Sequence, residues 1–203
     1  MLLVYRRVSM SNWNTAEKYG RVAIWIHWIT ALLFLVSYCS VYYRELFTER
    51  KTPENMAALQ IHMSVGITVG VIVILRLIWR NMNVQPALEP GPPWQQRLAR
   101  WTHYGLYAVM ILMPISGYLK TGIGNDYFFL FHLPKFEDTW MFHVFVQDWL
   151  GMTYKEFRGP VDVFHKDIMG AVVVWMLIVF HAGAAMYHHF KLKDRTLIRM
   201  TRS

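Results

Sequence analysis

At 203 residues, with 55% hydrophobic and 17% charged side chains and a positive mean hydropathy, the chain falls outside the ordinary soluble and the disordered classes. Its net charge of +8 sits at the ends of apolar runs, which assigns the charge to membrane topology and excludes nucleic acid as its partner. The single cysteine, Cys39, excludes an intrachain disulfide framework, and the lack of a CxxCH run excludes covalent haem attachment.

Four apolar runs, at 22–43, 57–79, 104–119 and 168–187, approach or reach the length of about 20 residues that crosses a bilayer. Strands with open edges cannot satisfy their backbone in lipid, and no run alternates with period two. The prediction is therefore an all-α fold: a transmembrane four-helix bundle forming one membrane-embedded domain over 1–203.

In chain order, the start MLLVY is too short for the apolar core of a cleavable signal. The first span is expected to serve as its own anchor, and Met10 is an alternative start, the residues before it then being mis-assigned. That span reads RVAIWIHWITALLFLVSYCSVYY, with Trp25 and Trp28 at one end and Tyr38, Tyr42 and Tyr43 at the other, the aromatic belt of an interface. His27 lies five residues inside it, about 8 Å from its end. Taken singly it is a satisfied polar residue or a ligand.

After a short linker, 44–55, Pro53 and Glu54 resemble a helix start. The second span, MAALQIHMSVGITVGVIVILRLIWR, carries His62 five residues from its own start, with Gly66 and Gly70 on the same face. Those glycines open room for a flat macrocycle or allow close helix packing. Arg76 snorkels to the interface or meets a haem propionate. The run NMNVQPALEPGPP at 81–93 breaks the helix. The third span holds His103 at its start, as a ligand, a quinone-site residue or an interfacial residue, and Pro114 within it, where a kink is expected.

Residues 121–162 hold Phe128, Phe129, Phe131, Trp140, Phe142, Phe145, Trp149, Tyr154 and Phe157. That density predicts one or two short helices lying in the outer interface and capping the bundle. The last span, FHKDIMGAVVVWMLIVFHAGAAMYHHF at 164–190, carries His165, His181, His188 and His189. Ionisable groups inside a bilayer mark function.

If the chain starts inside, its inner pieces hold 13 basic residues, among them Arg6, Arg7, Arg21, Arg80, Lys191 and Arg199, against Glu17, Glu89 and Asp194. The outer pieces hold eight basic and ten acidic residues. Both termini are thus expected in the cytoplasm, with a long outer segment between spans three and four. With that topology His27 and His181 share the inner level, and His62 and His165 share the outer level. Two imidazoles at one depth on facing helices are what a bis-histidine haem needs, so two haem b groups stacked across the bilayer are expected. One detail strains this: His165 and His181 are 16 apart, about 160° around an ideal helix, whereas 14 would leave about 40°. A distorted first turn or a π-bulge would restore the register; otherwise His143 or His132 substitutes for His165.

The stretches IHW at 26–28, IHMSVGI at 61–67, RLIWR at 76–80, HYGLYAVMILMPISG from His103, FHKD from Phe164 and HAGAAMYHHFKLKDRTLIRM from His181 resemble the bacterial cytochrome b561 family, four-span dihaem proteins of the inner membrane. The resemblance implies His27, His62, His165 and His181 as iron ligands, although the family spaces the last two by 14 and has a shorter outer segment. It also implies electron transfer between a membrane quinone and a partner on the other side. One activity within the family oxidises superoxide at the outer face with ubiquinone as acceptor, so the outer donor is superoxide or a redox protein. Lys120, Arg158 and Lys166 could draw an anion there. His103, His188, His189 and Arg76 are candidates for the quinone head group, with bland interfacial readings beside them. Two alternatives stand: a membrane-anchor cytochrome b subunit of a larger dehydrogenase or hydrogenase, and a histidine-lined metal or proton transporter.

Overall fold

The computed structural model describes residues 12–202. Arg6, Arg7 and the reading of MLLVY as too short for a signal lie outside them. Thr52 opens the second helix by accepting a hydrogen bond from the Asn55 amide, with Pro53 at the first helical position, where a missing N–H costs nothing. The start signal at Pro53 and Glu54 is therefore used. The preceding linker is shorter than expected, because α1 (Arg21–Phe47) continues past Tyr43 before α2 (Pro53–Met82) begins.

Among the described residues three helices are long and apolar enough to cross a membrane: α1, α2, and a continuous run over Tyr154–Leu192. The third predicted span lies within α3 (Pro93–Lys120), whose first turns carry Gln95, Gln96, Arg97 and Arg100. Only the later part of α3 is apolar. It runs through Pro114 as one helix, and the proline ring fills a place opened by Gly70, whose missing Cβ would stand 3.2 Å from Pro114 Cβ. Gly70 therefore serves close packing. Gly66, one turn earlier, would point a Cβ into open space beside the His62 level.

The long last run replaces the expected span 168–187 and part of the outer segment 121–162. It begins at α4 (Tyr154–Asp162), capped by a reciprocal pair in which Thr153 accepts from the Glu156 amide while Glu156 accepts from the Thr153 amide. It then widens into a π-helical segment, Val163–Val173, returns to α5 (Val174–Tyr187), and ends in a further wide turn, His188–Leu192. Lys193 reverses the chain at φ 56°. Beyond it, Arg199 pairs with Glu89 at 2.7 Å, and Met200 O accepts from Trp28 Nε1 at 2.7 Å.

Residues 121–153 form the cap, where the expected short helices are joined by an element that was not expected. An antiparallel hairpin, β1 (Asn125–Tyr127) with β2 (Phe131–Leu133), precedes a single helical turn at Phe136–Asp138 and a short wide helix at Phe142–Asp148. The otherwise all-α fold thus carries one small β element. Phe136, Phe142 and Val146 make a second core beneath the cap, closed by Tyr118, Leu119, Tyr154 and Phe157.

Within the bundle, α1 packs on α2, α2 on α3, and α3 on α4 and α5. Val65, Val69 and Val73 form a buried stripe at helical spacing on α2, and Val109, Met169 and Val174 join α3 to the last run. The outward faces stay apolar, with Leu35 60% and Val179 63% exposed. Such surface is unfavourable in water and matched by lipid.

Candidate functional site

Two histidine pairs form between helices. His62 of α2 faces His165 of the π-helical segment with ring centroids 6.3 Å apart, and His27 of α1 faces His181 of α5 at 6.0 Å. An imidazole ligating from each side of one metal needs two bonds of about 2 Å plus about 1 Å from each nitrogen to its ring centre, so centroids near 6 Å fit such a centre. On α2, Arg76, which contacts His27, follows His62 by 14 positions. At 1.5 Å per residue the two levels are about 21 Å apart. Among the described residues no group of three or more His, Cys, Asp or Glu side chains could hold a metal ion; the facing pair is the unit.

The spacing of 16 is absorbed by the wide turns. Each turn closed by an i→i+5 bond accommodates one residue more than an α turn, and about two such turns separate His165 from α5. Sixteen positions then act as about 14, which leaves the rings about 40° apart around the axis. His132 and His143 do not substitute: His132 is exposed and bonds Asp126 at 2.8 Å, and His143 is exposed on the cap and bonds Gln147.

The second ring nitrogen of each histidine separates the two levels. Ser116 Oγ donates to Leu112 O at 2.7 Å. With its only proton committed there, it can only accept from His165 Nδ1, 2.9 Å away. His62 Nδ1 lies 3.0 Å from Ser37 Oγ and 3.3 Å from the Ser37 carbonyl, which can only accept. Both networks assign the proton to Nδ1 and leave Nε2 with its lone pair, the arrangement of a histidine prepared to ligate. Gly117 lets His165 lie flat against α3, since a Cβ there would stand 3.0 Å from His165 Cε1.

The other level is set differently. Arg76 Nη2 lies 3.2 Å from His27 Nδ1, and a guanidinium only donates. Here the proton belongs on Nε2, and ligation through that atom requires Arg76 to let go. Arg76 does not snorkel: it turns inward, over the Tyr107 ring at 5.4 Å. His103 joins this level, exposed on α3 with its ring 5.5 Å from that of His181.

His188 is engaged by Asp194 and Thr196 across the Lys193 reversal. His189 stands edge-on to Phe190 at 4.9 Å. At the cap end, Lys120 pairs with Asp162 at 2.7 Å and Lys166 with Glu45 at 3.4 Å, so neither offers an uncompensated charge. Sequence reasoning missed Ser37 and Ser116. Their only signal was a hydroxyl on a neighbouring helix near the level of a histidine.

A family model described as prokaryotic cytochrome b561 matches residues 18–203. Cytochrome b561 homolog 1 of Escherichia coli (strain K12) is 28% identical over 187 residues, covering 91% of this chain and 97% of that protein. Cytochrome b561 homolog 2 of the same organism is 30% identical over 210 residues, covering 94% and 95%. A Yersinia pestis protein named probable superoxide oxidase CybB is 27% identical over 185 residues, covering 91% and 96%.

Proposed function

Because the chain belongs to the prokaryotic cytochrome b561 family, whose membership implies b-type haem and electron transfer in a membrane, we propose that it is a dihaem quinone-linked cytochrome with four spans. In this reading the later part of α3 completes the set of four spans, as the third in chain order, and the excess of basic residues at the His27 end supports a cytoplasmic location for both termini. Residues 1–203 form one domain of the bacterial inner membrane.

The observation that carries the proposal is the pair of facing imidazole couples, at 6.3 and 6.0 Å, about 21 Å apart along α2. His62 and His165 would ligate one haem iron, and His27 and His181 the other. Bound haem supplies one-electron redox chemistry that no side chain here provides. The chain's own residues set the site around it. Ser37 and Ser116 hold the Nδ1 protons of the outer couple, Gly117 seats His165, and Gly66 keeps space clear beside His62. Arg76 is placed to exchange His27 for a haem carboxylate.

Electrons would pass between a donor at the cap side and a membrane quinone, such as ubiquinone, at the cytoplasmic side. His103 is the head-group partner this geometry favours, being exposed beside His181. His188 is engaged by Asp194, and His189 lies at the boundary. Superoxide as the donor rests on the name of one relative. The ion pairing of Lys120 and Lys166 argues that any steering of an anion would be weak. Exposed Trp140 and Trp149 on the cap, at 67% and 73%, favour a second reading, docking of a redox subunit, which co-purification distinguishes.

The test is a pyridine haemochrome assay against protein concentration, with two haems per chain expected. One haem, or none, contradicts the proposal. Reduction by quinol and by superoxide, compared on the same preparation, then identifies the donor.

A further inference from the structure

The cap hairpin has a turn chemistry that a water-exposed hairpin does not use. The Leu130 amide donates to Tyr127 O at 2.9 Å, and the two central residues, Phe128 and Phe129, have φ of 45° and 61°. Positive φ at both central positions is the conformation for which Asn-Gly is selected. A phenylalanine at either position is strained. The result is an apolar tip: Phe129, Leu130 and Phe131 are 62%, 78% and 54% exposed.

The hairpin also has a direction. Gln60 Nε2 donates to Gly124 O, and Gln60 Oε1 accepts from the Asp126 amide. One turn further along α2, Ser64 Oγ accepts from the Phe128 amide. A further turn along, Thr68 Oγ1 bonds the Tyr127 hydroxyl at 3.0 Å. From Gln60 to Thr68 is about 12 Å along the helix, leading away from its capped start and into its apolar stretch. The polar pair Asp126–His132 is the middle one of the three ladder pairs, one step back from Tyr127–Phe131 and the turn. The tip's backbone donors are accounted for as well: those of Asp126 and Phe128 by α2, those of Phe129 and Leu130 within the turn. Paired donors lower the cost of carrying the turn toward an apolar level.

We propose that this hairpin is a lipid-inserting anchor, its Phe128–Phe131 tip embedded among the acyl chains of the leaflet at the cap end, with Asp126 and His132 at headgroup level. The tip continues the lipid-facing surface of α2, which is what selects lipid as the occupant over a protein. The inference requires that α2 crosses the bilayer. It is independent of the haem assignment, so the failure of either leaves the other standing.

The full-length protein in lipid nanodiscs tests it. In a Cys39→Ser background, Leu130→Cys and, separately, Phe129→Cys carry an environment-sensitive fluorophore, with Asp138→Cys as the control elsewhere on the cap. Correct folding is checked by the helical circular dichroism and the thermal unfolding transition of each variant. The label at 130 or 129 is expected to shift to the blue, to be quenched by brominated lipids and to be protected from aqueous iodide, and the label at 138 to behave in the opposite way. Quenching by iodide at the tip, as at 138, overturns the proposal. Protection from both quenchers also overturns it, because a protein surface then covers the tip.

Discussion

Replacing Ser116 with alanine isolates one half of the proposed site. The change leaves the His165 imidazole in place, with the residue only 7% exposed, and removes the hydroxyl that accepts its Nδ1 proton at 2.9 Å. A buried donor left without a partner costs about 1–3 kcal/mol. The same hydrogen bond is what presents the Nε2 lone pair and fixes the ring plane, and loss of such a supporting partner typically weakens a metal site about 10- to 100-fold. The two figures agree, since about 1.4 kcal/mol is tenfold. Haem content in Ser116→Ala is therefore expected to fall from two per chain toward one after prolonged dialysis. A potentiometric titration should lose one of its two one-electron steps and keep the other. Ser116→Thr, which retains the hydroxyl, should hold both. Equal loss of the two haems, or loss at the His181 level instead, would refute the reasoning that the two couples are separate sites with separate support.

His181→Ala should show the converse, losing the haem near His27 while the His62–His165 level keeps its spectrum; loss of the other signal would mean the couples are interchanged. The reversal at Lys193 gives a pH prediction. Burial opposes ionisation of Asp194, but hydrogen bonds from His188 and Thr196 outweigh it and hold the carboxyl below its usual range. A depressed pKa contributes stability that is present above the ordinary carboxylate value of about 4 and is lost as pH falls through the lower folded value. Protection of the amides over residues 194–202, taken relative to their intrinsic exchange rates, should thus hold at neutral pH and fall only below about pH 4; protection already lost at pH 6 would exclude this contact as the clasp.

The positions of α1, α2 and the last helix were legible because about 20 consecutive apolar residues have few alternatives. The four histidines came with them, as did their meeting in two levels, since depth follows from counting along a helix. Even the difficulty was legible: a mismatch of about 160° signalled that something unusual separates His165 from His181. Val163–Val173 supplies it, though no residue there spells out a wide turn. Other features had weaker signals. The capping box of Thr153 and Glu156 stands in the sequence, yet α4 falls inside the range expected as outer segment, because the apolar run that marks a span begins only beyond it. The hairpin strands are three residues each, too short for a period of two to register, and Phe-Phe is not a turn signal. The direction of the Arg76 side chain depends on where Tyr107 and His27 come to rest, which is decided by packing rather than by local sequence.

The widened stretch over Val163–Val173 makes the last helix editable in a restricted way. Cutting two adjacent residues would let the stretch relax to ordinary α-helix while both rings kept their bearings. Cutting one would let one wide turn relax and leave the other, so that fifteen positions still act as about 14 and His165 keeps its bearing toward His181. Shortening of this part of the chain is therefore absorbed one residue per wide turn, and a third cut would have no slack left to draw on.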